Sequence, residues 1–238
     1  MDELAALKVP SFKPVSDHAL LVEIGTIVDD DLNRQIISLD QAITRAGITG
    51  LCEVVPAMVN LLIVFDPLLN DHKGVQSAVE QLFPLTSNVS ANGNQHVVNV
   101  CYENAFSPDL SAVANACNMS IEAVMNAHLS ASYRVSMYGF APGYAYLSGV
   151  QKAIQVPRKT AAVRDIPAGS VIIAGAQCLT TTLTMPTGWS IIGRSNAKII
   201  TGNQDHPFLF DVGDTVSFRR ISSNELTGEA ACQALDSK

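Results

Sequence analysis

The sequence has 238 residues, of which 47% are hydrophobic and 16% are charged, and its formal net charge is −7. A chain of this length and composition can bury one large core or two ordinary ones and is not intrinsically disordered. The acidic balance argues against nonspecific binding to nucleic acid or anionic membranes, although a local group of arginines could still bind an anionic ligand.

No apolar run reaches the roughly 18 residues that a membrane-spanning helix needs. Residues 1–17 contain early acidic residues and no apolar signal core, so we expect a cytoplasmic protein with a mobile N-terminal leader. The five cysteines are scattered and form no C-x-x-C pair. This pattern argues against a disulfide framework or a metal site and favours buried free thiols.

The first part of the chain alternates strand and helix patterns, beginning with a strand that ends at Gly25. The predicted elements are a strand (19–25), an amphipathic helix (29–45), two strands interrupted at Pro56 (52–67), a helix (72–83) and a strand (96–102). The order β-α-β-β-α-β is typical of a ferredoxin-like α/β domain. A polar, turn-rich stretch over 86–95 is predicted to be a surface loop.

The second part of the chain has a different pattern of predicted elements. Two short helices are predicted over 108–118 and 120–131, with Asp109 and Ser120 as N-caps. After Tyr133, short β-rich runs separated by Gly, Pro and Asn predict a closed or nearly closed β-barrel. These runs are YRVSMYGF, SVIIAGA, LTTTLTM, WSIIGRS and TVSFRRI.

The fold class is therefore α+β, with two domains. We predict a ferredoxin-like domain over residues 1–102 and a β-barrel domain over 103–238, ending in a frayed tail after about Asn224. The stretch GFAPGYAYLSG (139–149) has three glycines, a proline and three aromatics, so we predict a tight loop rather than a helix or a central strand.

Several polar side chains lie in segments that also carry turn residues. Arginine suits carboxylate or phosphate groups, glutamine can both donate to and accept from an amide, and histidine can transfer a proton. One interpretation is a single cleft for an anionic ligand. The alternative is that the arginines are surface charges, that the only tryptophan is packing and that His128 is a structural histidine. The candidates are His128, Arg158, Lys159, Arg164, Gln177, Trp189 and Arg194.

Ordered motifs in the second half resemble a known family, the B subunit of prokaryotic 5-oxoprolinase. The motifs are GFAPGYAYLSGV, VPRK, PAGSV, IAGAQ, MPTGW and IIGRS. The family also includes proteins labelled allophanate hydrolase subunit 1 and a sporulation-kinase inhibitor. The resemblance implies a ferredoxin-like domain followed by a cyclophilin-like β-barrel.

The resemblance also implies partners and an activity. Members pair with a larger barrel-fold subunit, and in 5-oxoprolinase a third protein completes the ATP-dependent opening of 5-oxoproline to glutamate. ATP is the implied cosubstrate, with the junction between subunits as a place for it. Two alternatives stay open: the carboxyltransferase half of a biotin-dependent urea carboxylase, with a biotinylated carrier as partner, and a binding module that inhibits a histidine kinase.

Position by position, the resemblance implies two groups of site residues. Those with catalytic roles are His128, Arg158, Gln177 and Arg194, and those that line the cleft are Phe140, Pro142, Gly143, Tyr146, Arg164, Pro186 and Trp189. The chain departs from the family pattern at Ala162 and Val163, where the pattern commonly has Pro-Arg, and at Thr181, where it has tyrosine.

Overall fold

The computed structural model describes residues 10–83 and 93–228, and the backbone of 232–234. Within these ranges, no helix is both long and apolar enough to cross a lipid bilayer. The chain forms two compact units, residues 1–91 and 92–238, called here the N-terminal and C-terminal units.

The described part of the N-terminal unit is a four-stranded antiparallel sheet with two helices. Its elements are β1 (Ser11–Ser16), β2 (Ala19–Glu23), α1 (Asp30–Arg45), β3 (Leu51–Pro56), β4 (Asn60–Phe65) and α2 (His72–Glu80). The strand order is β1-β2-β4-β3. Alternate residues of β4, namely Leu61, Ile63 and Phe65, are buried in one core with Ile36 of α1 and Val79 of α2, because successive strand residues face opposite sides of a sheet.

The start of α1 follows from local chemistry. The Asp29 carboxylate accepts a hydrogen bond from the Leu32 amide at 2.7 Å, which satisfies one of the free N–H groups at the helix start. Asp30 and Asp31 follow in the first turn, where the helix dipole favours negative charge.

One strand of this unit was missed in the sequence, and another was assigned to it incorrectly. Ser11–Ser16 lies within the predicted leader but forms β1, which pairs antiparallel with β2. The strand predicted over 96–102 lies instead in the C-terminal unit. The edge position beside β2 is therefore filled by a strand that precedes β2 rather than by one that follows α2.

The C-terminal unit contains the barrel and its flanking helices. Its strands are β5 (Gln95–Val100), β6 (Tyr133–Tyr138), β7 (Ala145–Ser148), β8 (Val163–Ile166), β9 (Ser170–Ala174), β10 (Gln177–Thr180), β11 (Met185–Thr187), β12 (Ser190–Arg194), β13 (Thr215–Arg220) and β14 (Cys232–Ala234). Its helices are α3 (Leu110–Ala116), α4 (Ile121–Leu129) and α5 (Ser223–Thr227), with a 3-10 turn at Lys152–Ile154.

The large sheet closes into a nearly complete barrel of seven strands. Its order is β12-β9-β10-β7-β6-β13-β5-β14. A bridge joins Cys101, just after β5, to Arg194 at the end of β12, with N–H···O distances of 2.8 and 2.9 Å. The predicted barrel is thus confirmed, with β14 added beside β5. Closure of this kind removes the exposed edges that an open sheet would present.

The two faces of β9 belong to different apolar clusters. Val171 and Ile173 lie in the main core with residues of α3 and α4, whereas Ile172 and Ala174 lie in a second cluster with Trp189. The second cluster packs beside the separate two-stranded ribbon of β8 and β11. This alternation leaves one face of β9 available to line a site outside the main core.

Three further sequence expectations differ from the structure. The stretch 139–149 is a tight loop only in its first part, because Ala145–Ser148 form β7 in the interior of the large sheet. The strand predicted over LTTTLTM is divided between β10 and β11. The units divide between residues 91 and 92 rather than after 102. The first nine residues of the leader, most of the loop predicted over 86–95 and half of the predicted tail lie outside the described residues. Within that tail, α5 continues to Thr227.

Candidate functional site

A small cavity opens beside the second apolar cluster of the C-terminal unit. Its volume is about 110 Å³, well below the roughly 300–1,000 Å³ of pockets for drug-sized ligands, so it suits a small molecule. The lining residues are Phe140, Tyr144, Tyr146, Arg158, Ile172, Leu179, Pro186, Thr187, Gly188 and Trp189. The cavity is thus mainly aromatic and apolar, with one permanent cation.

The loop between β6 and β7 presents an aromatic side chain at this cavity. Phe140 has φ +71° and is 76% exposed, a combination that is uncommon for an aromatic residue. Gly143 also has a positive φ, and a side chain there would come within 3.1 Å of Ile200. The Thr182 hydroxyl donates to the Pro142 carbonyl at 2.6 Å and ties the loop down. Strained backbone of this kind persists where the surroundings hold it in place.

The Arg158 guanidinium lies over the Trp189 ring in the cavity lining. The guanidinium carbon of Arg158 lies 5.5 Å from the Trp189 ring centroid, within cation–π range. The Tyr146 ring meets Trp189 edge-on at 5.9 Å. Arg158 is exposed and forms no ion pair with any of the residues that the structure describes. Its hydrogen-bond donors are therefore free to bind an anionic group.

A carboxylate braces the segment that carries Arg158. Asp109 accepts from Lys159 Nζ at 2.5 Å and from the Ile191 amide at 2.7 Å. The Lys159 amide also donates to the Gly188 carbonyl at 2.7 Å. Asp109 therefore links Lys159, next to Arg158, to Ile191, two residues after Trp189. Its side chain does not cap α3, although its position before the helix predicts a cap.

Tyr144 supplies a further polar group among the residues that line the cavity. The residue is 3% exposed, and its hydroxyl has no hydrogen-bond partner within the described residues. Burial, with a smaller contribution from Tyr146, raises the pKa of the Tyr144 phenol. The group is therefore neutral at pH 7 and can both donate and accept.

The structure brings five of the predicted site residues together at this cavity: Phe140, Tyr146, Arg158, Pro186 and Trp189. It adds Tyr144, Ile172, Leu179 and Thr187, which sequence reasoning missed. A signal for Tyr144 was present in the sequence, because it is one of the three aromatics of the glycine-rich stretch 139–149. Nothing in the local sequence marks Ile172 or Leu179 as anything but core.

His128 lies away from this cavity, in the main core. It is fully buried, and its ring is tilted by 34° to that of Phe218, with the ring centroids 4.4 Å apart. Its Nδ1 lies 2.6 Å from the Tyr102 hydroxyl, and its Nε2 lies 3.6 Å from the Cys178 thiol. Burial lowers the pKa of His128 to about 3. The histidine is thus a neutral member of a buried hydrogen-bonded chain, and the geometry does not offer it to a ligand as a proton-transfer group.

Five other predicted residues also lie outside the cavity lining. Arg194 donates from Nη1 to the Ala168 carbonyl at 3.2 Å, so the shared cleft for Arg158 and Arg194 that the sequence suggests is not formed. Gln177 is half-buried in β10, and Arg164 is exposed on β8. Pro142 and Gly143 shape the loop rather than the cavity wall.

The environment of Cys178 leads to a prediction on thiol reactivity. Burial raises the pKa values of Cys178 and Cys101, and both thiols are buried, whereas Cys52 is exposed. Because the thiolate is the reactive form, we expect iodoacetamide to label Cys52 first and to spare Cys101 and Cys178 until the fold is lost. Peptide mapping by mass spectrometry measures this order. Labelling of Cys178 as fast as Cys52 in the native protein would contradict the buried position.

The chain is similar to known proteins over most of its length. The model of the carboxyltransferase domain, subdomain C and D, matches residues 10–210. The curated B subunit of 5-oxoprolinase from Bacillus subtilis (strain 168) is 31% identical over 222 residues, which cover 89% of this chain and 92% of that protein. The likeness therefore extends over nearly the whole of both chains.

Solved structures agree with the fold. The crystal structure of TTHA0988 superposes with a TM-score of 0.76 at 29% identity, covering 87% of this chain. This chain spans 41% of that chain, or about two fifths of its length. The urea amidolyase of K. lactis superposes with a TM-score of 0.70 at 18% identity. The match covers 95% of this chain and 16% of the amidolyase chain. The last likeness concerns the fold alone.

Proposed function

This chain belongs to the family of the carboxyltransferase domain, subdomain C and D, and we propose that it is the B subunit of an ATP-dependent 5-oxoprolinase. The likeness to three curated proteins, each named as the B subunit of 5-oxoprolinase, supports a role in an enzyme complex. In this proposal the assembled enzyme, located in the cytoplasm, converts 5-oxoproline, ATP and water to glutamate, ADP and phosphate. The larger barrel-fold subunit and a third subunit are its partners.

The observation that carries the proposal is the free guanidinium of Arg158, held on Trp189 at the small aromatic cavity. 5-Oxoproline is a small five-membered lactam with one carboxylate. The carboxylate pairs with the Arg158 fork, and the ring packs against the aromatic lining. This chain therefore binds and orients the substrate and keeps water from one side of the ring.

Lactam hydrolysis is difficult because resonance protects the amide carbonyl, which is why coupling to ATP is expected. The cavity of about 110 Å³ does not fit a nucleotide. We assign no ATP-dependent step to residues of this chain and place nucleotide binding with the partner subunits. His128 also takes no part, because it is sealed in the main core.

The second candidate function is carboxyl transfer in a biotin-dependent urea carboxylase-like enzyme. The name of the matching family and the fold shared with urea amidolyase favour this candidate. The same cavity would then bind a small amide, and the partner would be a biotinylated carrier. Assays of one purified complex with both sets of substrates separate the two functions.

The decisive experiment is co-expression with the larger subunit and the third subunit, followed by an ATP-dependent assay on 5-oxoproline. We expect turnover by the complex and none by this chain alone. Carboxylation of an amide substrate with biotin-linked carrier, without 5-oxoproline turnover, would replace the first function by the second. Turnover by the single chain would contradict the heteromeric assignment.

We expect Arg158→Lys to raise the KM for 5-oxoproline about ten- to a hundredfold. Lysine keeps the charge but cannot reproduce the planar fork, and a hydrogen bond to a charged group contributes about 1.5–3 kcal/mol. Arg164→Lys is the matched control, because Arg164 is exposed and does not line the cavity; its KM should equal that of the wild type. Equal KM values in both variants would remove Arg158 from the site.

A further inference from the structure

Tyr144 lines the cavity, and its hydroxyl is a polar group that no contact within the described residues explains. The Tyr144 hydroxyl is buried without a hydrogen-bond partner in the described part of the chain, and its ring lies at a tilt to that of Phe140, with centroids 5.8 Å apart. A buried hydroxyl without a partner is costly, and most such groups in native proteins are hydrogen-bonded. A phenylalanine would fill the same space without that cost. Contacts within the described protein therefore do not account for this hydroxyl, and a bound ligand would.

Other tyrosines of the C-terminal unit do have such partners. The Tyr138 hydroxyl donates to the Phe210 carbonyl at 2.7 Å, and the Tyr133 hydroxyl donates to the His128 carbonyl at 3.1 Å. Tyr102 meets the His128 ring at 2.6 Å. Tyr144 differs from these three in lining the cavity that also contains Arg158.

We propose that the Tyr144 hydroxyl is the hydrogen-bonding group that selects the ligand of this cavity, and that this ligand is a small carboxylate with an amide at its other end. The carboxylate end rests on the proposed function, through Arg158. The amide end follows from Tyr144 itself, because a neutral phenol can donate to an amide carbonyl or accept from its N–H. An apolar acid of the same size would pack against the apolar wall equally well but would leave the phenol without a hydrogen-bond partner.

The first test compares two ligands of nearly equal shape on the full chain, alone and in its complex. 5-Oxoproline carries the ring amide, and cyclopentanecarboxylate has the same ring size without it. We expect the wild type to bind 5-oxoproline more tightly. Tyr144→Phe should reduce that preference about two- to tenfold and leave the affinity for cyclopentanecarboxylate unchanged, as measured by calorimetry. Tyr138→Phe, a change of the same kind at a tyrosine outside the cavity lining, should keep the preference.

The second test is thermal stability, which separates a ligand-binding hydroxyl from a structural one. Because the Tyr144 hydroxyl has no partner among the described residues, Tyr144→Phe should leave the Tm of the ligand-free protein unchanged or raise it. Tyr138→Phe removes a hydrogen bond made within the protein, so its Tm should fall by about 2–4 °C. A lowered apo Tm in Tyr144→Phe would show that the hydroxyl serves the fold, and would overturn the inference.

The outcomes also separate this inference from the function on which it rests. If Arg158→Lys weakens 5-oxoproline binding and Tyr144→Phe does not, Arg158 keeps its role in binding the carboxylate. The Tyr144 hydroxyl then does not determine ligand specificity. If Tyr144→Phe alters binding of 5-oxoproline but the complex does not turn it over, Tyr144 determines ligand specificity and the proposed enzymatic function is wrong. If neither carboxylate binds to the chain or its complex, both are wrong.

Discussion

Replacing Asp214 by alanine is expected to destabilise the C-terminal unit by about 3–5 kcal/mol, because this carboxylate is buried among three donors. It accepts from the Asn94 amide at 2.7 Å, from the Asp211 amide at 2.8 Å and from His96 Nε2 at 2.8 Å. The His96 and Asp214 side chains are only 4% and 3% exposed. Alanine leaves all three donors without an acceptor, and each such donor is costly. Asp214 thus ties the start of β5 to the turn before β13.

The tryptophan content of the chain makes this measurement specific to one unit. Trp189 is the only tryptophan and is 5% exposed, so its fluorescence during urea unfolding reports on the C-terminal unit. Asp214→Asn retains one acceptor and should lie between alanine and wild type. Asp205→Ala, an exposed aspartate in the same unit, is the matched control and should stay within about 0.5 kcal/mol of the wild type. A similarly small change for Asp214→Ala would contradict the three contacts.

The sequence predicts the elements of the fold well where apolar spacing is regular. In α1 the spacing of Leu32, Ile36 and Ile43 matches a buried helix face, and all three are buried. The assignment of β5 fails because its apolar pattern does not say which sheet it joins. Its partners β13 and β14 lie more than a hundred residues later, and such long-range pairing leaves no local signal. β1, with a proline and mostly exposed side chains, has too little alternation to be found.

The candidate site was predictable only in part, for a related reason. Turn residues and aromatics mark Phe140, Pro186 and Trp189, since these residue types are informative near glycines. His128 and Arg194 have the right chemistry in the sequence, but burial and barrel closure place them elsewhere. The residue type in the sequence gives the chemistry of a side chain. Whether it faces a cavity or a core depends on packing between distant strands.

Acidification is expected to destabilise the C-terminal unit through His128, by about 3 kcal/mol between pH 7 and pH 4. Burial lowers the pKa of His128 from its ordinary 6.5 to about 3. The unfolded chain therefore takes up a proton below about pH 6.5, whereas the folded protein does not until about pH 3. This stabilising contribution is complete above pH 6.5 and is lost as the pH falls towards 3. Tyr102, Cys178 and Phe218 around the ring carry no charge in this range.

Two measurements isolate this contribution from that of the carboxylates. The free energy of unfolding, followed by Trp189 fluorescence, should depend less on pH in His128→Leu than in the wild type, with the difference reaching about 3 kcal/mol at pH 4. His206→Leu, which changes an exposed histidine of the same unit, should retain the wild-type dependence. Because His128→Leu also removes contacts to Tyr102, the wild-type imidazole shifts in NMR provide an independent check. They should stay those of a neutral ring from pH 8 to pH 4, and a protonation midpoint near 6.5 in the folded protein would show that His128 is accessible to solvent and free to act as a proton-transfer group after all.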